Sequence, residues 1–311
     1  MCALKETGWC RSAAKNQRDA EENMVALTDM DIATKEVLGW TGVHLFHFKS
    51  SSCSQKCRIF LRLKDIPCTL HHVDLIKGEN RDDWYMGVNP RGLVPTLVHD
   101  GKVIIESNDI LQYLEDKFPE PALIPSDASD DVDALLKHED DLHLDIRRIT
   151  MRYVVPTFLM QKKESELEQY QSAGSGLIQG EPDPHKEVEL QFWRDMKEQK
   201  GISDDEIRSA IENISRAFDA LCARLSDAPY LLGGSISVLD IAWYIYVKRM
   251  VAAGFPLKER HPALLQWFES LDEKSEFQEE TATPNSVKMV TRTLHLVQAM
   301  KGTSLRSVAP A

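Results

Sequence analysis

Between residues 42 and 119 the apolar positions switch repeatedly between a strand-like and a helix-like period. "GVHLFHF" (42–48) is a short apolar run bounded by Gly42 and polar residues, which suits a strand. "SQKCRIFLRLKD" (54–65) puts Cys57, Phe60, Leu61 and Lys64 at helical spacing and meets a stop at Pro67. "CTLHHVDL" alternates like a second strand, and "RDDWYMGVN" predicts a short helix ended by Asn89-Pro90. "VPTLVHDGKVIIES" predicts two strands joined at Asp100-Gly101, a strong hairpin signal. "SNDILQYLEDKFP" predicts a helix capped by Ser107, with Ile110, Leu111, Leu114 and Phe118 on one face and Pro119 as its end. The predicted order is βαβαββα.

Beyond the Pro-rich stretch "PEPALIPSDASD" the pattern is helical, and no further strand is expected. Residues 130–155 predict one long amphipathic helix, and "SAGSGLIQGEPDPH" (172–185) a loop. Residues 203–226 predict a helix opened by the capping box "SDDE". "SVLDIAWYIYVKRMVAAG" is apolar on nearly all sides, as a buried central helix would be, and 287–300 predict a final amphipathic helix. The chain therefore divides into an N-terminal extension (1–41, partly disordered), an α/β domain (42–119), a linker (120–129), an all-helical domain (130–284) and a C-terminal helix and tail (285–311). There is no internal repeat and no low-complexity tract.

Composition narrows the function classes. With 42% hydrophobic and 28% charged residues in 311, the chain reads as a soluble protein of two domains. Its net charge of −12 argues against nucleic-acid or anionic-membrane partners. No apolar run approaches the roughly eighteen residues of a membrane span, and the N-terminus lacks the apolar core of a secretion signal. The six cysteines are irregularly spaced, which favours a reducing compartment and a cytoplasmic location. No metal site is expected: His71 and His72 occupy adjacent strand positions and point to opposite faces.

Candidate chemistry concentrates in three places. "FHFKSSSCSQKCR" (46–58) holds four hydroxyls and two thiols where a strand gives way to a helix, whose N-terminus attracts anions and lowers thiol pKa values. Within it, Cys57 reads as a small core residue, as does Cys68 further on. In "LVPT", Pro95 at a strand entrance suits a cis Val94–Pro95 bond, which would leave the Val94 N–H and C=O free for an extended peptide; the alternative is an ordinary edge-strand proline. Glu106-Ser107 stand at a strand-to-helix junction. There the helix N-terminus and the Ser107 hydroxyl suit a carboxylate and Glu106 suits an ammonium, the alternative being a plain cap with a solvent-facing acid. Ser237 and Asp240 form a capping box and belong to folding. His138, His143, Arg147 and Arg148 ride the long helix, where one or two can face a cleft between the domains.

"NPRGLVPTLVHDGKVIIES" resembles the glutathione-binding segment of the cytosolic glutathione transferases, "SVLD" the capping box of the buried helix in their second domain, and "HPALLQWFESLDEKSEF" its close. The resemblance covers residues 43–280. It implies a thioredoxin-like α/β domain followed by an all-α domain, glutathione as co-substrate, and a homodimer. The implied activity is a transferase directing the glutathione thiolate at a hydrophobic, aromatic electrophile, as in β-aryl ether cleavage. It implies glutathione contacts at Val94, Pro95, Glu106 and Ser107. By likeness to the omega class it adds Arg81 for the glycyl carboxylate, where a surface arginine is an equal reading. "SSCS" is similar to the zeta class, which makes Ser51 the group that stabilises glutathione's thiolate. It is also similar to tetrachlorohydroquinone-type reductive dehalogenases, in which Cys53 would be the essential residue. Bacterial β-aryl etherases resemble the later segment. Of these, the Ser51 assignment is preferred. The alternatives are a cysteine-type reductive dehalogenase or thiol transferase, a maleylacetoacetate isomerase-like enzyme, and a non-catalytic glutathione-binding interaction protein. The insert at 160–200 and the long tail depart from the zeta pattern.

Overall fold

The structure, a computed structural model, describes residues 24–125, 129–156 and 162–309. Strands β1 (Val43–His47), β2 (Cys68–His72), β3 (Thr96–His99) and β4 (Lys102–Ile105) form one sheet in the order β2-β1-β3-β4. Helix α1 (Ser52–Leu63) crosses between β1 and β2, which are therefore parallel, while β3 and β4 run antiparallel as a hairpin. Side chains alternate. Leu45, Leu97 and Ile104 face α1 and α3 (Ser107–Lys117), whereas Phe46, Val98, Val103 and Ile105 face the opposite side.

That opposite face is covered by the one-turn helix α2 (Asp83–Met86) and by part of the N-terminal extension. Leu27, Ile32 and Val37 pack on it, the Leu27 N–H bonds to Val103 C=O (2.9 Å), and the Ile105 N–H bonds to Val25 C=O (3.2 Å). Residues 24–40 thus shield the free edge of β4. The remainder of the 1–41 extension, expected to be partly disordered, is residues 1–23 and lies outside the described residues.

The second domain contains α4 (Ser129–Asp141), α5 (His143–Tyr153), α6 (Glu164–Ser172), the two-residue strands β5 (Leu177–Ile178) and β6 (Glu181–Pro182), and α7 (His185–Glu198). It continues with α8 (Asp204–Arg224), α9 (Val238–Ala252), α10 (Leu257–Arg260), α11 (Pro262–Asp272), α12 (Ser275–Glu280), α13 (Asn285–Met300) and α14 (Leu305–Val308). The single helix predicted over 130–155 is two. Leu142 (φ −92°, ψ 1°) closes a tight turn with its N–H on Glu139 C=O at 3.1 Å, burying its side chain and starting α5 afresh at His143. The loop expected at 172–185 contains a hairpin. Gln179 and Gly180 both take positive φ at its tip, and contacts distant in sequence fix it: Gln179 donates its N–H to Asp31 and its side-chain amide to Ala26 C=O, both at 2.8 Å.

Helix α9 is buried on all sides from Val238 to Val247, as its composition predicts, and only its last turn reaches solvent. Its capping box is complete, and Asp240 also accepts the Leu231 N–H (2.9 Å) and the Trp267 indole N–H (2.8 Å). Four donors answer the Asp240 carboxylate in the core, so this acid is structural.

Candidate functional site

Strand register gathers the candidate residues at one end of the sheet. His47 lies opposite His72, Phe46 opposite Thr96, and Thr96 opposite Ile105. The chain leaving β1 toward Ser51, the chain entering β3 through Val94 and Pro95, and the chain leaving β4 at Glu106 therefore share that end. The Val94–Pro95 bond is cis, and among the described residues the Val94 N–H and C=O have no backbone partner. Asn89 and Tyr85 hold this loop, with Asn89 Nδ2 donating to Leu93 C=O (3.0 Å) and to Thr96 Oγ1 (2.9 Å).

Glu106 has φ +68°, a conformation that costs a non-glycine residue about 1–3 kcal/mol and that clusters at functional sites. Its carboxylate pairs with Arg91, which is itself clamped by Asp183 through Nε (2.9 Å) and Nη2 (2.7 Å). Ser107 is not the helix cap. Glu106 already carries the non-helical backbone, so Ser107 becomes the first residue of α3, nearly buried. Arg81 approaches Glu166 of α6 at 3.8 Å. The insert thus approaches one predicted glutathione contact, Arg81, directly and reaches a second, Glu106, through Arg91.

At the other end of the site, α1 starts two residues earlier than the spacing predicts. Three neighbouring serines can each cap a helix, and Ser51 does so, its Oγ accepting the Ser54 N–H at 3.3 Å. Cys53 consequently lies in the first turn. Its half-buried Sγ stands 3.9 Å from Nε2 of His143, the first residue of α5. Burial raises the Cys53 thiol pKa, but His143 and then Lys56 outweigh burial and hold it below its ordinary value. Burial likewise opposes charge on His143, yet the sulfur draws its imidazole above the ordinary value. The two shifts favour a thiolate–imidazolium pair.

Cations surround this pair. Lys56 is buried and donates to Glu139 (2.7 Å) and Asn108 (2.8 Å). Arg147, one turn beyond His143, forms a two-bond pair with Glu189 of α7 and lies 4.1 Å from the centroid of the Phe192 ring. Arg249 of α9 reaches Ser50 C=O and Gln55 Oε1. Arg58 fixes the preceding loop through Lys49 C=O (3.0 Å) and His47 Nδ1 (3.1 Å) and ties it to Glu280 of α12. Burial first, then Arg58, push the His47 imidazole down to about 4, so it stays a neutral acceptor.

Cys57 and Cys68 differ from Cys53. Burial raises both, Cys68 up to about 12, as expected of packing residues. His138 packs toward Trp243, and Arg148 pairs with Asp145 and Glu206, so neither joins the sulfur. His143 and Arg147 do join it. Their i, i+4 spacing in "HLDIR" was visible, but the thiol they face was not. Two clefts, of about 210 Å³ beside Arg148 and Phe192 and about 310 Å³ beside Arg62 and Leu70, include none of the residues predicted to hold glutathione or to do its chemistry. Among the described residues, no group of three or more His, Cys, Asp or Glu could hold a metal, and no helix is long and apolar enough to cross a membrane. A free strand-like edge at Val94, an acid at one end and a cation-ringed thiol at the other fit a short peptide with an ammonium and a sulfur.

Two family models match the chain: "Glutathione S-transferase, N-terminal domain" over residues 45–122 and "Glutathione S-transferase, C-terminal domain" over 193–270. Glutathione S-transferase 1 of Dianthus caryophyllus is 45% identical over 85 residues, 27% of this chain and only 38% of that protein. Maleylacetoacetate isomerase of Pseudomonas aeruginosa is 41% identical over 86 residues, again 27% of this chain and 41% of that protein. Protein LigF of Sphingobium sp. is similar over more of the chain, 26% identical across 245 residues, 76% of this chain and 91% of that protein. The solved structure of the beta-etherase LigF superimposes with a TM-score of 0.64 at 24% identity, covering 77% of this chain and 98% of that one. The matched models, their order and the thioredoxin-like domain followed by a helical one agree, and the chain belongs to the cytosolic glutathione transferase superfamily.

Proposed function

We propose that this protein is a glutathione-dependent enzyme whose reacting thiolate belongs to Cys53. The observation that carries this is the 3.9 Å approach of His143 to the Cys53 sulfur across the domain boundary. It revises the preference for Ser51. Ser51 Oγ serves as the helix cap, whereas Cys53 has a basic partner and a lowered pKa.

In this reading glutathione lies along Val94 and Pro95, with its γ-glutamyl end at Glu106 and Ser107 and its glycyl end toward Arg81. The Cys53 thiolate attacks the sulfur of a glutathionyl compound GS–X. The Cys53–sulfur bond forms as S–X breaks, and X leaves with the electron pair and takes a proton from the His143 imidazolium. A second glutathione gives its proton back to His143 and attacks the mixed disulfide. Glutathione disulfide leaves and Cys53 returns to its thiolate. X is an alkylthio group in thiol transfer. In reductive dehalogenation it is the ring carbon of a keto-form aryl thioether, made when glutathione displaces halide, and the ring carbonyl takes up the departing electron pair.

The likeness to LigF along most of both chains favours a second reading. Here Ser51 donates to glutathione's own thiolate, which attacks an aryl ether or a similar apolar electrophile. An isomerase-like activity has support only in the first domain. Mutants separate the two main readings. Mass spectrometry of the turning-over enzyme should find a glutathione adduct on Cys53, and Cys53→Ala should abolish turnover while Ser51→Ala retains it. The reverse pattern in the mutants makes Ser51 the activating group. Retention on immobilised glutathione with no turnover of any glutathionyl or aryl substrate would instead favour a non-catalytic glutathione-binding protein. Association as a homodimer belongs to the same proposal, with sedimentation as its check.

A further inference from the structure

Asp183 lies in the insert between the two matched family segments, yet its carboxylate reaches the glutathione end of the site. Its oxygens sit 2.7 and 2.9 Å from two nitrogens of Arg91, with both side chains almost fully buried (6% and 5% exposed). The third nitrogen of Arg91 bonds the Glu106 carboxylate, which is 35% exposed. Arg91 is therefore shared between a buried acid and the acid at the site.

A guanidinium paired with Glu106 alone would cancel its charge and compete with an incoming ammonium for the same lone pairs. With Asp183 in place, the three groups together carry one net negative charge, and the planar guanidinium is fixed in one orientation by a two-bond clamp. We infer that Asp183 is a positioning residue for glutathione: it holds and neutralises Arg91, so that Glu106 keeps its charge for the γ-glutamyl ammonium. This rests on the reading of Glu106 as the ammonium's partner. The insert has a second, uncharged attachment nearby, the Tyr170 hydroxyl donating to Arg91 C=O at 2.6 Å. Docking of the insert can thus be weakened without changing the charges. His185 Nδ1 lies 3.1 Å from Asp183 and stays in every variant.

The test is calorimetric titration of the full chain with glutathione. Asp183→Asn should raise Kd about tenfold or more, the loss typical of one charge-assisted contact. Arg91→Gln combined with Asp183→Asn removes the pair and leaves Glu106 alone, so Kd should return to within about threefold of wild type, a coupling that independent sites would not show. Tyr170→Phe should lower the melting temperature and leave Kd unchanged. An unchanged Kd in Asp183→Asn overturns the inference. So does a double variant no tighter than the single one, or a loss in Tyr170→Phe equal to that in Asp183→Asn. If Asp183→Asn does not fold, the double variant decides against wild type: a Kd within about threefold supports the inference and a tenfold loss overturns it. Wild-type protein that fails to bind glutathione sinks the reading of the whole site, and this inference with it.

Discussion

The two ends of the site are built with opposite charge. Around Cys53, Lys56 and Arg147 arrive with carboxylates of their own, Glu139 and Glu189, while among the described residues no carboxylate pairs with His143 or Arg249. Around Glu106 the balance reverses, because Arg91 is shared between two acids. One end therefore favours an anion such as a thiolate, and the other a cation such as an ammonium. Both are assembled across long separations in sequence, 90 residues for Cys53 and His143 and 92 for Arg91 and Asp183. The contrast teaches that, in the proposed reading, the first domain supplies the groups that would touch glutathione, while the second domain and its insert set their charge.

Substitutions at each end can break or sharpen this contrast. The largest expected effect is at the sulfur itself: Cys53→Ala should cut turnover by roughly a thousandfold or more, as loss of a nucleophile does. Turnover within a few-fold of wild type would move the chemistry to glutathione's own thiolate. Next is Lys56→Met, which strands the fully buried Glu139 carboxylate without its partner. Breaking a buried pair from one side costs about 3–5 kcal/mol of stability, whereas replacing both members, as in Lys56→Met with Glu139→Leu, is often near neutral. Denaturant titration of the two variants reads the difference, and equal stabilities would mean that the pair is not acting as one buried unit.

At the opposite end, Glu106→Ala should weaken glutathione binding by about 1.5–3 kcal/mol while the fold survives, as calorimetry would show. Unchanged affinity would remove Glu106 from the site. The smallest effect is expected of Ser51→Ala, about 1 kcal/mol of stability from the lost cap. Turnover should remain, because the Cys53–His143 pair is intact.

Much of the scaffold was legible in the sequence because local rules write it. The hairpin at Asp100-Gly101, the cis Val94–Pro95 bond, and the Ser237–Asp240 capping box are all set by neighbours in sequence. Local signals also misled. Adjacent serines left the start of α1 ambiguous, and continuous apolar spacing hid the turn at Leu142, which only the tertiary burial of its side chain requires. The protein environment of the site was mostly illegible. Nothing near Asp183 marks it as the partner of Arg91, and His143 was one of four plausible residues on its helix until its position opposite Cys53 singled it out. The N-terminal segment that covers β4 likewise carries too weak a period to show what it packs against.

The account turns on the ionisation of Cys53. The direct measurement is the rate of Cys53 alkylation by iodoacetamide as a function of pH, read by mass spectrometry of its peptide so that the other cysteines do not contribute. Alkylation follows the thiolate, so the rate rises as pH climbs through the thiol's pKa. In wild type that rise should come below the ordinary thiol range. It should move upward in His143→Gln, where the cation is gone, and hold its place in Ser51→Ala. A Cys53 that titrates at or above the ordinary range in wild type, or that is indifferent to His143→Gln, would contradict the account.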